Sequence, residues 1–392
     1  MAKNTTCPTA NWNYPTSVRF GPGRIAELPD ACKAAGIQHP LLVTDPGLVA
    51  LPIVKHAVDL MAAAGMKPGV FSDLRPNPVS KNVDDGISTF HAGGHDGVVA
   101  MGGGSALDTG KVIAFQVGQT RPIWDFEDIG DWWTRADSDA IKPIVAVPTT
   151  AGTGSEVGRA GVIINEATHR KYIIFHPKMM PRVVISDPEL TVGLPPHITA
   201  ATGMDALAHN LEAYCAPSYH PLADGVALEG MRLVKEWLPI AFRDGRNLTA
   251  RGNMLAAASM GATAFQKGLG AIHAMSHPVG SIYDTHHGLT NAVVMPFVLV
   301  KNRPSIEEKM ARTARYLGLA QGSFVAMLDW VMELRHELKI PHTLADLGVD
   351  GARVPELARM AAEDPNNGGN PPPLTVAEYE TLFTNALRGR LG

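Results

Sequence analysis

The spacing of apolar residues changes near the middle of this chain. In the first half, short β-rich runs stand at Pro40–Thr44, Gly97–Met101, Pro143–Val147 and Pro181–Ser186. Amphipathic stretches such as Ile53–Ala64 and Val83–Ala92 separate them. Buried runs alternating with helices predict parallel βαβ units. Beyond Asp187 and Pro188 the β-rich runs all but vanish. Helical spacing takes over at His197–Ala216, Pro221–Trp237, Arg251–Ala264, Ile306–Leu317 and Phe324–Leu338. The pattern predicts an α/β domain over 1–190 and an all-α domain over 191–392. A length of 392 residues is long for one core and agrees with two. There is no internal repeat, and the one low-complexity patch, Asp364–Pro373, reads as loop.

Composition narrows the function classes. Hydrophobic residues at 45% and charged ones at 18% describe an ordinary globular protein. A net charge of −4 offers no basic surface, which argues against nucleic acid as a partner. Cys7, Cys32 and Cys215 are scattered, form neither a disulfide framework nor a zinc ribbon, and suit a reducing cytosol. Met1–Cys7 lacks the apolar core of a signal peptide. No run approaches the roughly 18 apolar residues of a membrane helix. The nearest, Asn291–Val300, contains Pro296. The expectation is a cytoplasmic protein with no membrane partner.

Chemistry concentrates in two short segments of the second half. Asp205 and His209 are four apart, so on a helix they project from one face. His273 and His277 repeat that spacing, and His287 follows. Single pairs of this kind are commonly satisfied core residues. Two pairs in apolar, glycine-bounded segments would all need partners if buried. One carboxylate and several imidazoles make a ligand set for a divalent transition metal, Fe²⁺ or Zn²⁺ by ligand type. With one position open the ion is a Lewis acid on a substrate oxygen; with four ligands and none open it is structural.

A second motif lies in the first half. Gly102, Gly103, Gly104 and Ser105, with Asp108 beyond, follow a buried strand and open a helix. Strand, glycine turn and helix bring backbone N–H groups up to phosphates. A tight structural turn is the plainer reading, since the motif is neither Gly-x-Gly-x-x-Gly nor a Walker loop. Asp45 ends the run Leu41–Thr44 at the carboxyl end of a strand. An acid there accepts hydrogen bonds from the adenosine ribose and repels a 2′-phosphate, which favours NAD(H) over NADP(H). A helix N-cap fits the same position.

Taken together these segments resemble the iron-containing alcohol dehydrogenase family. The landmarks are Phe20–Gly23, Val43–Asp45, Pro76–Pro78, Gly102–Asp108, Val147–Glu156, Ala201–His209, Gly268–Pro278 and Gly368–Pro371, which span nearly the whole chain. The resemblance implies a Rossmann-like, dehydroquinate-synthase-like parallel sheet followed by an all-helical domain. It implies one divalent ion, Fe²⁺ foremost and Zn²⁺ as an option, on Asp205, His209, His273 and His287. His277 would then lie beside the nicotinamide and substrate as the proton-relaying residue. The implied cofactor contacts are Asp45, Asn77, Gly102, Gly103, Gly104, Ser105, Asp108, Thr149 and Thr150, although Asp108 and Glu156 also suit helix caps and the threonines suit turns. The chain departs from the family at His286, where a proline is usual; the fourteen-residue step from His273 selects His287 as the ligand.

The resemblance further implies hydride transfer between nicotinamide and a small primary alcohol or aldehyde, in a homodimer or larger homo-oligomer. Arg159, Ala264, Lys267 and Asn366 fall at substrate-lining positions. Ala264 leaves room where some relatives carry an aromatic residue. Lys267, helped by Arg159, would anchor an anionic tail such as that of an ω-hydroxy acid; a lysine reaching solvent or pairing with an acid is the other reading. A dehydroquinate-synthase-like lyase, a glycerol dehydrogenase and a maleylacetate reductase are the alternatives.

Overall fold

The computed structural model describes residues 16–391 apart from His169. Cys7 and the N-terminal segment discussed above lie outside them. The first half runs β1 (Ser17–Phe20), α1 (Leu28–Ala35), β2 (Pro40–Val43), α2 (Pro52–Ala63), β3 (Gly69–Phe71), α3 (Ser80–Ala92), β4 (Gly97–Gly102), α4 (Gly104–Gln116), β5 (Ile144–Pro148), β6 (Ala160–Asn165), β7 (Arg170–Phe175) and β8 (Val183–Ser186). Six strands form one sheet in the order β1-β8-β5-β4-β2-β3, every pairing parallel, while β6 and β7 make a separate antiparallel hairpin.

The apolar runs explain the sheet. All residues of β2, β4, β5 and β8 are buried, as a parallel sheet covered on both faces requires. Alternate residues serve opposite layers. Leu41, Val43, Val98 and Ala100 pack with Phe90 and Ile113 on one side. Leu42, Val99, Met101 and Val147 pack with Leu28 and Met61 on the other. The expectation missed β1 and β3, which lie at the two edges and are largely exposed or half-buried, so their apolar signal is weak. It also missed the hairpin, whose residues are mostly half-buried.

Helices build the second half: α5 (Pro196–Cys215), α6 (Pro221–Arg243), α7 (Leu248–Ala264), α8 (Ala271–Tyr283), α9 (His287–Tyr316), α10 (Phe324–Glu337), α11 (Val354–Glu363) and α12 (Val376–Arg388). The chain is thus a parallel α/β domain followed by a helical one. The central helix α5 is buried from Thr199 to Cys215. Helix α7 approaches it closely at Gly261, where a Cβ would come 2.9 Å from the Cβ of His209. Helix α9 begins well before the expected Ile306, because Pro296 and Pro304 sit inside it and disguise it in the sequence. Among the described residues no helix is long and apolar enough to cross a membrane. Cys32 and Cys215 are both buried and free.

Strands β2, β4 and β5 end together, with Val43 opposite Ala100 and Gly102 opposite Pro148. In parallel α/β sheets the carboxyl ends of the strands form the ligand crevice. Here a cleft of about 1150 Å³ lies at those ends, walled on its other side by α5, α8 and the start of α9.

Candidate metal and cofactor site

Three helices bring the ligand set together. Asp205 and His209 stand one turn apart on α5, His273 is in the first turn of α8, and His287 opens α9. One ligand atom from each lies within 4.8 Å of all the others. The Nε2 atoms of His209, His273 and His287 are 3.9, 3.9 and 3.6 Å from Asp205 Oδ1. A tetrahedral ion with bonds of about 2.1 Å needs ligand–ligand edges of roughly 3.4 Å. The four side chains therefore fit a single divalent cation with small adjustment.

Each imidazole is held by its other nitrogen. His273 Nδ1 is 2.6 Å from Glu212 Oε2, and the partner oxygen of Glu212 accepts the Ile272 N–H at 2.7 Å. His209 Nδ1 is 3.3 Å from the Gly152 carbonyl, and His287 Nδ1 is 3.3 Å from Ser276 Oγ. Fixing Nδ1 as the donor leaves Nε2 as a lone-pair ligand. Burial reinforces this by disfavouring the charged ring. It pushes His209 down to about 4 despite Asp205 and, helped by the Lys171 charge, holds His287 well below its ordinary value. Burial also presses on His273, but the Glu212 hydrogen bond and charge outweigh it and raise that ring. Asn291, one turn after His287, donates to Asp205 Oδ1 at 2.8 Å. His277 lines the cleft outside this group, its Nδ1 2.8 Å from Asp364 Oδ2. His286 also lines the cleft but does not join the ligand atoms; its Nδ1 accepts the Leu289 N–H at 3.4 Å.

The opposite wall is shaped for a nucleotide. Helix α4 starts after Gly103 with no side-chain cap on its first turn, so its N–H groups are available to phosphate. Gly102 has φ 152°, and a Cβ there would strike Asp45 Oδ2 and come 2.7 Å from Ala106 Cβ. Asp45 Oδ2 accepts the Gly103 N–H at 3.1 Å, and burial raises its carboxyl. It caps no helix, because α2 begins after Leu51. Gly103, Gly104, Ser105, Asn77 and Thr150 line the cleft, joined by Thr153. Ser105 Oγ donates to the Pro76 carbonyl. Asn77 reaches across to Asp284 Oδ1 at 2.6 Å.

Several sequence expectations need correcting. Thr149 is buried behind the cleft, with its N–H on the Gly102 carbonyl and its hydroxyl unpartnered. Asp108 lines the cleft, yet its carboxylate accepts from Ser155 Oγ at 2.5 Å and from the Val162 N–H at 3.1 Å, tying the loop after β5 to the hairpin. Glu156 is buried and accepts from Ser259 Oγ at 2.7 Å, so it braces that loop against α7. Ala264 is fully buried and faces the helical core; Ala262, Phe265 and Gln266 line the cleft instead. Lys267 is not in the cleft. Its ammonium donates to Asp224 Oδ1 at 2.6 Å and to the Tyr214 carbonyl at 3.1 Å. A lysine already neutralised inside the helical domain cannot anchor a substrate anion. Arg159 and Asn366 do line the cleft. Asn366 donates from both its backbone and side-chain nitrogens to Asp364 Oδ1 at 2.9 Å, which steadies the carboxylate beside His277.

Some site residues escaped the sequence reading. Glu212 is seven residues after Asp205 and Asn291 four after His287, so helical spacing alone placed both on the ligand face. Lys171 and Asp128 also line the cleft. They arrive from the hairpin and a long loop, where no periodicity marks them.

Comparison with known proteins agrees with this geometry. The iron-containing alcohol dehydrogenase model matches residues 15–188, and the model of that family's C-terminal domain matches 199–387. A 4-hydroxybutyrate dehydrogenase of Cupriavidus necator is 37% identical over 384 residues, covering 95% of this chain and 99% of that protein. A 1,3-propanediol dehydrogenase of Citrobacter freundii is 37% identical over 377 residues, covering 94% and 96%. The crystal structure of a 1,3-propanediol oxidoreductase superimposes with a TM-score of 0.92 at 34% identity, covering 97% of this chain and all of that one. With both halves matched and the ligand set converging in the cleft, the chain belongs to the iron-containing alcohol dehydrogenase family.

Proposed function

We propose that this protein is a metal-dependent, NAD(H)-linked alcohol dehydrogenase and aldehyde reductase acting on small primary alcohols. The observation that carries this reading is the sharing of one cleft by the Asp205–His209–His273–His287 cluster and the uncapped start of α4. When bound, the divalent ion supplies Lewis acidity to a substrate oxygen and the nicotinamide supplies the hydride acceptor. The chain supplies the geometry. Asp45 and the Gly102–Ser105 turn hold the nucleotide, and Asp45 disfavours the 2′-phosphate of NADP(H). Asn77 and Thr150 flank it. Asp364 keeps the His277 Nδ1 occupied, so the Nε2 of that ring is the atom that takes up or releases the alcohol proton. The Phe265 ring packs edge-on against that of His209, 5.1 Å between centroids, and gives the cleft an apolar side beside the cluster.

The similar enzymes named above act on substrates that share a primary alcohol carbon and differ at the far end, and another relative, 33% identical, is an NAD-dependent methanol dehydrogenase of Bacillus methanolicus. This reading takes Fe²⁺ as the ion ahead of Zn²⁺, a division of the chain at 190/191, a homodimer or larger assembly, and a cytoplasmic setting that suits two buried free thiols. The test is NAD⁺ reduction at 340 nm by anaerobically iron-loaded protein over a panel of alkanols and diols, with metal-free protein and His273→Ala alongside. Metal-dependent turnover that the variant loses supports the proposal. Absence of turnover with every alcohol and aldehyde, despite bound metal and NAD, overturns it in favour of a lyase.

A further inference from the structure

We propose that Arg159, oriented by Gln266, is a carboxylate-binding residue at the tail end of the substrate path, so that ω-hydroxy acids are preferred over plain alkanols of the same length. The inference rests on the alcohol dehydrogenase reading and names the substrate class of that site. Among the described cations of the cleft, Arg159 presents a planar donor fork that is mostly unbonded. Lys111 is spent on the Ser155 carbonyl at 2.9 Å, the Ala160 carbonyl and Asp108. The Lys171 ammonium makes no hydrogen bond among the described residues, but four carboxylates, of Asp364, Asp108, Asp205 and Asp284, already act on its charge, against the single Asp128 that acts on Arg159. Lys267 is outside the cleft and paired with Asp224.

Among the described residues the guanidinium of Arg159 makes one hydrogen bond, from Nη2 to Gln266 Oε1 at 3.1 Å, and has no carboxylate within 4.0 Å. It lies 5.3 Å from the centroid of the Phe175 ring, which limits its swing. A guanidinium carries five N–H donors in a planar fork suited to a carboxylate, so most of its capacity is unspent. Gln266 is itself aimed, because its Nε2 donates to the Thr263 carbonyl and so turns Oε1 toward Arg159. A partly buried cation with no carboxylate in contact is costly, and a carboxylate on the substrate would supply that contact. The position suits a tail. Phe265 lies against the ligand His209, and its chain neighbour Gln266 holds Arg159, so cluster and guanidinium share one wall of the cleft.

One group opposes an incoming anion. Asp128 lines the cleft and its charge acts on Arg159. Burial raises the Asp128 carboxyl, while Arg159 draws it back down. It competes with substrate for the guanidinium at longer range, and its removal therefore has a signed consequence.

The experiment compares kcat/KM of the iron-loaded holoenzyme for 3-hydroxypropionate, 4-hydroxybutyrate and 5-hydroxypentanoate with the values for propanol, butanol and pentanol. Arg159→Met should lower the acid-to-alkanol ratio by about 10- to 100-fold, the worth of a charge-assisted pair, chiefly through KM of the acid. Arg159→Lys should retain part of the preference, and Asp128→Asn should raise it. Butyrate binding to the NADH-loaded protein, followed by calorimetry, gives a readout that needs no turnover; Arg159→Met should abolish it. Alcohol turnover with an unchanged ratio in Arg159→Met overturns the subsite while leaving the dehydrogenase intact. A rise in KM for NAD⁺ alone would make Arg159 a cofactor contact and also overturn it. If no alcohol reacts, the dehydrogenase reading fails, and butyrate binding equal in wild type and Arg159→Met sinks the subsite independently.

Discussion

Replacing Glu212 by Gln tests the idea that one buried carboxylate sets the metal affinity of the whole site. Glu212 is 5% exposed and accepts two hydrogen bonds, from the Ile272 N–H at 2.7 Å and from His273 Nδ1 at 2.6 Å. A glutamine of the same shape has one acceptor and one donor end. The backbone N–H of Ile272 has no other means of satisfaction, so the amide oxygen turns to it. The amide NH₂ then faces His273 Nδ1 and forces the proton onto Nε2, the atom aimed at Asp205 and the ion. Restoring the ligand tautomer places an N–H against an NH₂ and forfeits a charge-assisted hydrogen bond, worth roughly 1.5–3 kcal/mol. Partners of ligating histidines carry about 10- to 100-fold in metal affinity, or roughly 1.4–2.7 kcal/mol. The two routes agree, and a drop of about 30-fold is expected. The assay is anaerobic competition for Fe²⁺ or Zn²⁺ against a chelator of known affinity, with far-UV circular dichroism to confirm folding. Asp364→Asn is the contrast, since Asp364 contacts His277 and not a ligand; it should lower kcat and leave metal affinity within about twofold. Equal metal affinity in Glu212→Gln and wild type would refute the tautomer argument.

Three further outcomes are expected. Asp45→Ser should weaken NAD⁺ by about tenfold through loss of a charged acceptor and admit NADP⁺; an unchanged NAD⁺/NADP⁺ ratio of kcat/KM would show that Asp45 does not read the ribose. Lys267→Met strips the partner from Asp224, while the Tyr214 carbonyl keeps the Lys309 ammonium at 2.8 Å, and should lower the urea-derived stability by about 1–3 kcal/mol without shifting the acid-to-alkanol ratio; a selective loss for acids would restore Lys267 as the anchor. Burial drops the Lys171 ammonium from 10.5 to about 8. The metal-free folded chain then binds fewer protons than the unfolded chain between those values, so its stability gains with rising pH across that window. Lys171→Met should lack that gain, so the urea midpoint of wild type should improve relative to the variant from about pH 8 to pH 10.5; a difference independent of pH would contradict it.

The candidate cluster was legible in part because helical spacing repeats, 205 with 209 and then 273 with 277, each pair inside an apolar stretch; that His287 and not His277 completes it came from the family resemblance. The four buried strands were legible for a similar reason, since burial on both faces leaves continuous β-branched runs. Edge strands β1 and β3 and the hairpin face solvent in part and mix polar residues freely, so nothing distinguishes them from loop. Pairing with an acid is the reading of Lys267 that the structure shows, and the anchor reading leaned on its chain proximity to His273. The Gly268 turn, at φ 128°, separates the two, and the lysine points into the helical interior instead. Arg159, by contrast, is remote in sequence from the metal ligands and is brought into their cleft by the short link to the hairpin, a placement that no local pattern encodes.

The hydrogen bond between His209 Nδ1 and the Gly152 carbonyl joins the two halves of the molecule at an unusual place. Gly152 belongs to the same loop as Thr150 and Thr153, which line the cleft. A metal ligand is thus braced by the segment that cofactor binding would tighten. Binding free energies of two such sites are reciprocal: whatever factor NAD(H) applies to metal retention, the metal must apply to NAD(H). If nucleotide binding orders that loop, a chelator should strip the ion more slowly from the NAD-loaded chain than from the nucleotide-free one.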